Sequence, residues 1–185
     1  MNQKIVPIPK SLWKLHGKST YQLDLVLTYT LAFILLIFNV AFSLSLPFWK
    51  IILIGILSVD IGGGVVSNFT KGTINYYRED KLSPHFFVWF HTLQAVALTI
   101  VYWESNWAVV TISLLAMLFS SFTVTLWQSK FQTQVSVFLF AILVLVMSAL
   151  GEMPKPLYLL LFFMSFKLMV GFAGHWKKTA PKSEE

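Results

Sequence analysis

"WKIILIGILSVDIGGGVVSNF", residues 49–69, is long and apolar enough to cross a bilayer, yet it carries Asp60 beside three consecutive glycines. A bilayer core asks for about 20 apolar residues in a helix. A charge at that depth costs at least ~2.5–3.5 kcal/mol on insertion scales, so such a residue faces the bundle interior and takes a partner. The stretch therefore predicts a helical membrane protein in which a second ionisable group answers Asp60.

The rest of the 185-residue chain agrees on the class. It is 56% hydrophobic and only 12% charged, with a mean hydropathy of +0.70. Soluble domains carry roughly 25% charged residues, and here apolar runs follow one another with short polar breaks, leaving no room for a soluble domain. The absence of cysteine excludes disulfides, thiolate metal sites and cysteine nucleophiles. The pI of about 9.6 does not point to nucleic acid, because the lysines flank the apolar spans and there set orientation. About 23 polar and mixed residues precede the first long run, which does not read as a cleaved signal. The Lys10–Lys18 stretch, with Leu12 and Trp13, is a candidate to lie on the membrane surface.

Six spans are expected, at about 24–45, 47–69, 85–103, 107–127, 132–150 and 156–176. Pro47 follows the first, Ser83-Pro84 opens the third, and Pro154 and Pro156 precede the sixth, as helix punctuation requires. Trp49, Trp103, Trp107, Trp127 and Trp176 fall at span ends, where interfacial aromatics belong. One face of the bundle then holds Lys4, Lys10, Lys14, Lys18, Lys71, Arg78, Lys81, Lys130, Lys177, Lys178 and Lys182, and the other only Lys50 and Lys155. That bias puts both termini in the cytosol. The fold expected is an all-α bundle of six membrane helices, residues 24–176. A cytosolic or interfacial segment, 1–23, precedes it, and a cytosolic tail, 177–185, follows.

One cation remains, Lys167, inside the sixth span. Asp60 and Lys167 each lie about nine residues from the cytosolic ends of their helices, and Gln94 lies nine beyond His85 at the start of the third span. At 1.5 Å per residue all three sit roughly 13–14 Å deep, near the midplane. An Asp60–Lys167 ion pair, with Gln94 on the remaining lone pairs, is the expected arrangement. Asp60, Gly64, Ser67 and Asn68 form one stripe by spacing, Lys167, Gly171, Gly174 and His175 another, and His91 and Gln94 a third. Residues 51–57 and 157–164 on the outer side are almost wholly apolar. The pattern describes a cavity open to the cytosol and sealed outside. Its mouth would carry Asn68, Thr70, Asn75, Tyr76, Tyr77, Arg78, His85 and His175.

Other motifs carry less. Gly62-Gly63-Gly64 lacks the Lys-Ser/Thr of a phosphate loop and reads as close helix packing or a kink. His85 and His91 are six apart and cannot chelate as an i, i+4 pair does. A metal set of His91, His175 and Asp60 is possible by helix count but not demanded by spacing, so no metal is assigned. His91 is either a structural histidine or a proton carrier. Asn68-Phe69-Thr70 is a glycosylation sequon on the wrong side, and Ser67, His91 and Asp60 lack a nucleophile elbow. Residues 78–81 read as a solvated loop, and Ser113, Ser120, Ser121, Thr123 and Thr125 as helix-packing hydrogen bonders.

Two functions fit this cavity. The first is binding or transport, proton-coupled in one version, of a small polar or amphiphilic molecule competing for the Asp60–Lys167 contact. The second is a membrane enzyme acting on a lipid or lipophilic substrate from the inner leaflet, with Asp60, His91 and Lys167 as acid–base candidates. Asn68, Tyr76, Tyr77 and Arg78 would then hold the head group. A third is an accessory subunit whose buried pair only fixes helix order. The midplane depth of the polar residues favours binding or transport, in a multi-pass protein of the cell membrane. Expected partners are membrane lipids, the small-molecule or lipid ligand and further copies of the chain; the sequence specifies no cofactor.

Overall fold

The computed structural model describes residues 4–79 and 83–176. Lys81, Lys177, Lys178 and Lys182 of the orientation argument, Asp80, and the tail 177–185 lie outside the described residues. Six helical stretches are long and apolar enough to cross a membrane: Gln22–Ala41, Phe48–Ser67, Pro84–Val101, Trp103–Thr125, Gln132–Ala149 and Lys155–His175. The protein is a six-helix bundle of the polytopic membrane class, and each span lies within a few residues of its expected place.

The helices are α1 (Trp13–His16), α2 (Gln22–Ala41), α3 (Phe48–Ser67), α4 (Lys71–Glu79), α5 (Pro84–Phe90), α6 (Thr92–Val101), α7 (Asn106–Thr125), α8 (Gln132–Ala149) and α9 (Lys155–Phe166). The last span does not remain α-helical. From Lys167 to Phe172 it widens into a π-helix, and Ala173–His175 form a 3₁₀ turn. The third span is also two pieces, α5 and α6, divided at His91. Neither break has a proline within it, so sequence punctuation does not announce them.

Burial orders the bundle. The sixth span is 72% buried, whereas the first and fifth are 22% buried. The sixth is therefore the central staff, which explains how it tolerates Lys167. α3 packs on α2, α6 and α9, and α7 on α5, α6, α8 and α9. Large side chains such as Phe33, Ile56, Phe138 and Leu145 point outward, as a lipid-facing perimeter requires. The half of the bundle away from the lysine-rich face is closed by an apolar core that includes Ile54, Leu57, Leu98, Ile112, Leu157 and Leu161. Lys50 at that end donates to the carbonyl of Val101 at 2.7 Å, satisfying the end of α6.

With lipid outside, helix association rests on close packing and interhelical hydrogen bonds rather than on exclusion of water. The glycines of α3 show this. A Cβ on Gly62 would stand 2.9 Å from the Cα of Ala32 in α2, so only glycine permits that backbone approach. One residue on, a Cβ on Gly63 would meet only Thr28 and Ala32 side chains at 3.8 and 4.0 Å. Asn39 of α2 donates to Ser58 Oγ of α3 at 2.9 Å and ties the same pair.

The N-terminal segment is more structured than its sequence suggests. Strands β1 (Ile5–Pro7) and β2 (Ser19–Tyr21) pair antiparallel, with α1 between them. The hairpin docks on α4. Gly17, with φ of 74°, lies against Gly72 so closely that neither position has room for a Cβ. Thr73 Oγ1 donates to the Leu15 carbonyl at 2.8 Å, and Tyr77 Oη to that of Lys14 at 3.0 Å. Lys18 meets Glu79 at 2.6 Å, and this bond and charge raise the Lys18 pKa. His16 shares a 2.9 Å hydrogen bond with Tyr29, while burial pulls its pKa down. Arg78 and Glu79, expected in a loop, end the α4 helix that this hairpin braces.

The glycine triplet gives a paired test. Gly62→Ala should lower stability in detergent by about 1–3 kcal/mol through overpacking against α2. Gly63→Ala should stay within about 1 kcal/mol of the parent, since only ordinary contacts are added. Thermal denaturation followed by circular dichroism separates the two.

Candidate functional site

Asp60 and Lys167 meet. Lys167 Nζ lies 3.5 Å from Asp60 Oδ2 and 3.3 Å from the Asp60 main-chain oxygen, donating to both. Gln94 Nε2 donates to the same Oδ2. The three residues matched by depth in the sequence are thus in one cluster, joining α3, α6 and the last span. Both donors converge on one carboxylate oxygen, and among the described residues Oδ1 carries no hydrogen bond.

Gly64 makes this approach possible. A Cβ there would collide with Cδ, Cε and Nζ of Lys167, so the lysine stem lies in the groove that the missing side chain leaves. The amine ends almost enclosed, its side chain 7% exposed, whereas that of Asp60 is 51% exposed. The pair is asymmetric: a sunken ammonium behind an accessible carboxylate.

The π-helix begins at this lysine. Widening the helix loosens its backbone pairing, and side chains from neighbouring spans take up the carbonyls. Asn68 Nδ2 donates to Lys167 O at 3.2 Å, and Ser136 Oγ to Met169 O at 2.6 Å. Gln132 Nε2 donates to Ala173 O and Trp176 O at 2.7 and 2.6 Å, and Thr133 Oγ1 to Gly174 O at 2.7 Å. His175 Nδ1 donates back to Val170 O at 2.8 Å. The expected stripe of Lys167, Gly171, Gly174 and His175 is therefore broken, because the offsets assumed an α-helix. Gly171 faces Asn68 of α3, and Gly174 faces Ser136 of α8. The positioning residues Gln132, Thr133 and Ser136 were missed, although Gln132 and Ser136, four apart at the start of an apolar span, are a polar stripe visible in the sequence.

His91 marks the break in the third span. Its Nδ1 is 3.0 Å from the Phe87 carbonyl, the oxygen that its own amide would take in a regular α-helix, and the amide turns instead to Val88 O. The side chain substitutes for the backbone bond that the break loses. Nδ1 therefore carries the proton, and Nε2, buried and without a partner, is a lone pair.

These groups line a cavity of about 340 Å³, within the range of small-molecule sites. Asp60, Gly64 and Asn68 form one wall, His91 and Gln94 another, and Lys167 the back. Phe86, Phe87 and Phe90 of the third span supply its aromatic side, with Tyr77 and Trp176 nearer the lysine-rich end. Phe86 and Phe90 line the cavity and are 59% and 56% exposed, and Ser83, also exposed, lines it as well. Lys14 and Leu15 of the N-terminal segment border the end that the sequence pictured as an open mouth. The docked hairpin, unforeseen in the sequence, borders the cavity at that end.

The remaining expected site residues lie elsewhere. Tyr76 and Asn75 line a separate polar groove with Lys18, Lys71 and Glu79. Arg78 and His175 border a much smaller gap beside Asn68 and Trp176. His85 is exposed and borders none of these spaces. Among the described residues, no three His, Asp or Glu side chains gather as a metal site would need. His91, His175 and Asp60 are thus not brought together as ligands.

The asymmetry of the pair has a measurable consequence. Asp60→Leu strands a buried ammonium and should cost about 3–5 kcal/mol, seen as a lower melting temperature and lower yield. Asp60→Leu combined with Lys167→Leu should recover most of that loss, because an apolar pair replaces the ionic one.

Comparison of the chain with models of known families, with curated proteins and with solved structures returns no match. What the site does is therefore argued from its geometry.

Proposed function

We propose that this chain is a multi-pass cell-membrane protein that binds, and carries across or out of the inner half of the bilayer, a small amphiphilic molecule. The lysine-rich face and both termini are cytosolic, so the cavity belongs to the inner half. One observation carries the reading: a half-exposed carboxylate near the midplane, in a mostly apolar cavity lined by Phe86, Phe87 and Phe90. A polar head group would seek the carboxylate and an apolar body the phenylalanines, which is the division of labour of a small-molecule site. The Lys167 ammonium behind it offsets its charge.

Binding without chemistry is favoured over catalysis by the inventory of groups. Among the described residues Asp60 is the only acid lining the cavity, its only aliphatic hydroxyl, Ser83, stands eight residues from His91, and Lys167 is sunk behind the carboxylate. Acid–base catalysis requires a group within hydrogen-bond reach of a reacting atom, and only Asp60 combines reach with exposure.

Native mass spectrometry of the intact protein, released from its own membranes, tests this directly. The wild type should retain a small amphiphile that Asp60→Asn loses or holds at least tenfold less. An identical set of bound species in both, or no bound species beyond bulk lipid, would contradict binding at this site. Conversion of the retained molecule to a new species on incubation would contradict the non-catalytic reading.

A further inference from the structure

Resting on that binding function, we infer that the head group taken by the cavity is a protonated amine, held by the free Oδ1 of Asp60 and faced by the rings of Phe86, Phe87 and Phe90. The ligand class is an organic cation with an apolar body.

Hydrogen-bond capacity points this way first. An ionised carboxylate accepts only, with about four lone-pair sites. In Asp60, whose side chain is half exposed, the donors Gln94 Nε2 and Lys167 Nζ share Oδ2, leaving Oδ1 unclaimed among the described residues. Two further acceptors in the neighbouring wall, His91 Nε2 and Gln94 Oε1, are buried without a donor among the described residues. Their identities follow from their neighbours: His91 Nδ1 is committed to a carbonyl, and Gln94 Nε2 to the carboxylate. The wall has a surplus of acceptors, the reverse of an anion site.

Charge placement agrees. Among the described residues two cations line the cavity, Lys14, exposed at the lysine-rich end, and Lys167, screened behind Asp60. Of the two members of the ion pair, the exposed one is the carboxylate. The aromatic rings reinforce the choice, since a ring face attracts a cation and repels an anion. At 3.5 Å the contact from Lys167 to Oδ2 is long for a charge-assisted bond, where about 2.7–2.9 Å is usual. A second ammonium can therefore share Asp60 without breaking a tight pair.

The experiment uses the full chain in phospholipid nanodiscs, with radiolabelled decylamine and decanoate as matched probes. Specific binding is the fraction displaced by excess unlabelled probe. Wild type should bind decylamine displaceably, and decanoate should neither bind nor compete. Asp60→Asn should weaken the amine at least tenfold, with Asp60→Glu restoring much of it. Displaceable decanoate binding that survives Asp60→Asn and is lost in Lys167→Met would overturn the cation assignment while leaving the binding function standing. Equal binding of both probes, or of neither, also overturns it; only a wild type that co-purifies with no amphiphile beyond bulk lipid, or with the same set as Asp60→Asn, would sink the function itself. Where Asp60→Asn does not fold, the preference of the wild type for amine over acid decides alone.

Discussion

A lysine ammonium held near the middle of a bilayer is the constraint from which the other features follow. Hydrocarbon offers it no hydration, so the chain must bring an acid to the same depth and shape the surrounding helices to admit the contact. Lys167 lies on the most buried span, where neighbouring helices shield it from lipid. Gly64 removes the side chain that would block its stem, and Gln94 joins the acid from a third helix. One charge thus dictates a helix order, a glycine and an amide on three different segments.

Irregular backbone gathers on the same half of the bundle. The third span breaks at His91, the sixth widens from Lys167 to Phe172, and the rest of the membrane helices run without such breaks. Inside a membrane, non-helical backbone is tolerated only where protein or a cavity satisfies its polar groups. Here side chains do so: His91 takes a carbonyl in its own helix, and Asn68, Gln132, Thr133 and Ser136 take carbonyls of the last span. The opposite half has regular helices and an apolar core, and it closes the cavity from beyond.

Much of this was legible in the sequence because hydrophobic length, charge and depth are local quantities. The spans follow from apolar runs, and the Asp60–Lys167–Gln94 cluster from counting residues inward from the helix ends. Two things resisted the same method. Stripe arguments presuppose 3.6 residues per turn, so Gly171, Gly174 and His175 were misaligned wherever the turn widened. The hairpin over the lysine-rich end comes from short strands and a Gly17–Gly72 contact between distant parts of the chain, which no local pattern encodes. Phe86 and Phe90, whose spacing of four puts them on one face of the third span, were not singled out as lining residues.

The midplane contact itself is the most direct test. Solid-state NMR on the protein in lipid bilayers, with labelled lysine nitrogen and aspartate carbon, measures the dipolar coupling between the Lys167 ammonium and the Asp60 carboxyl carbon. A strong coupling, consistent with the 3.5 Å separation of nitrogen and oxygen, is the predicted result. A Lys167 nitrogen with no coupling to Asp60 would contradict the pair, and with it the cavity that the pair supports.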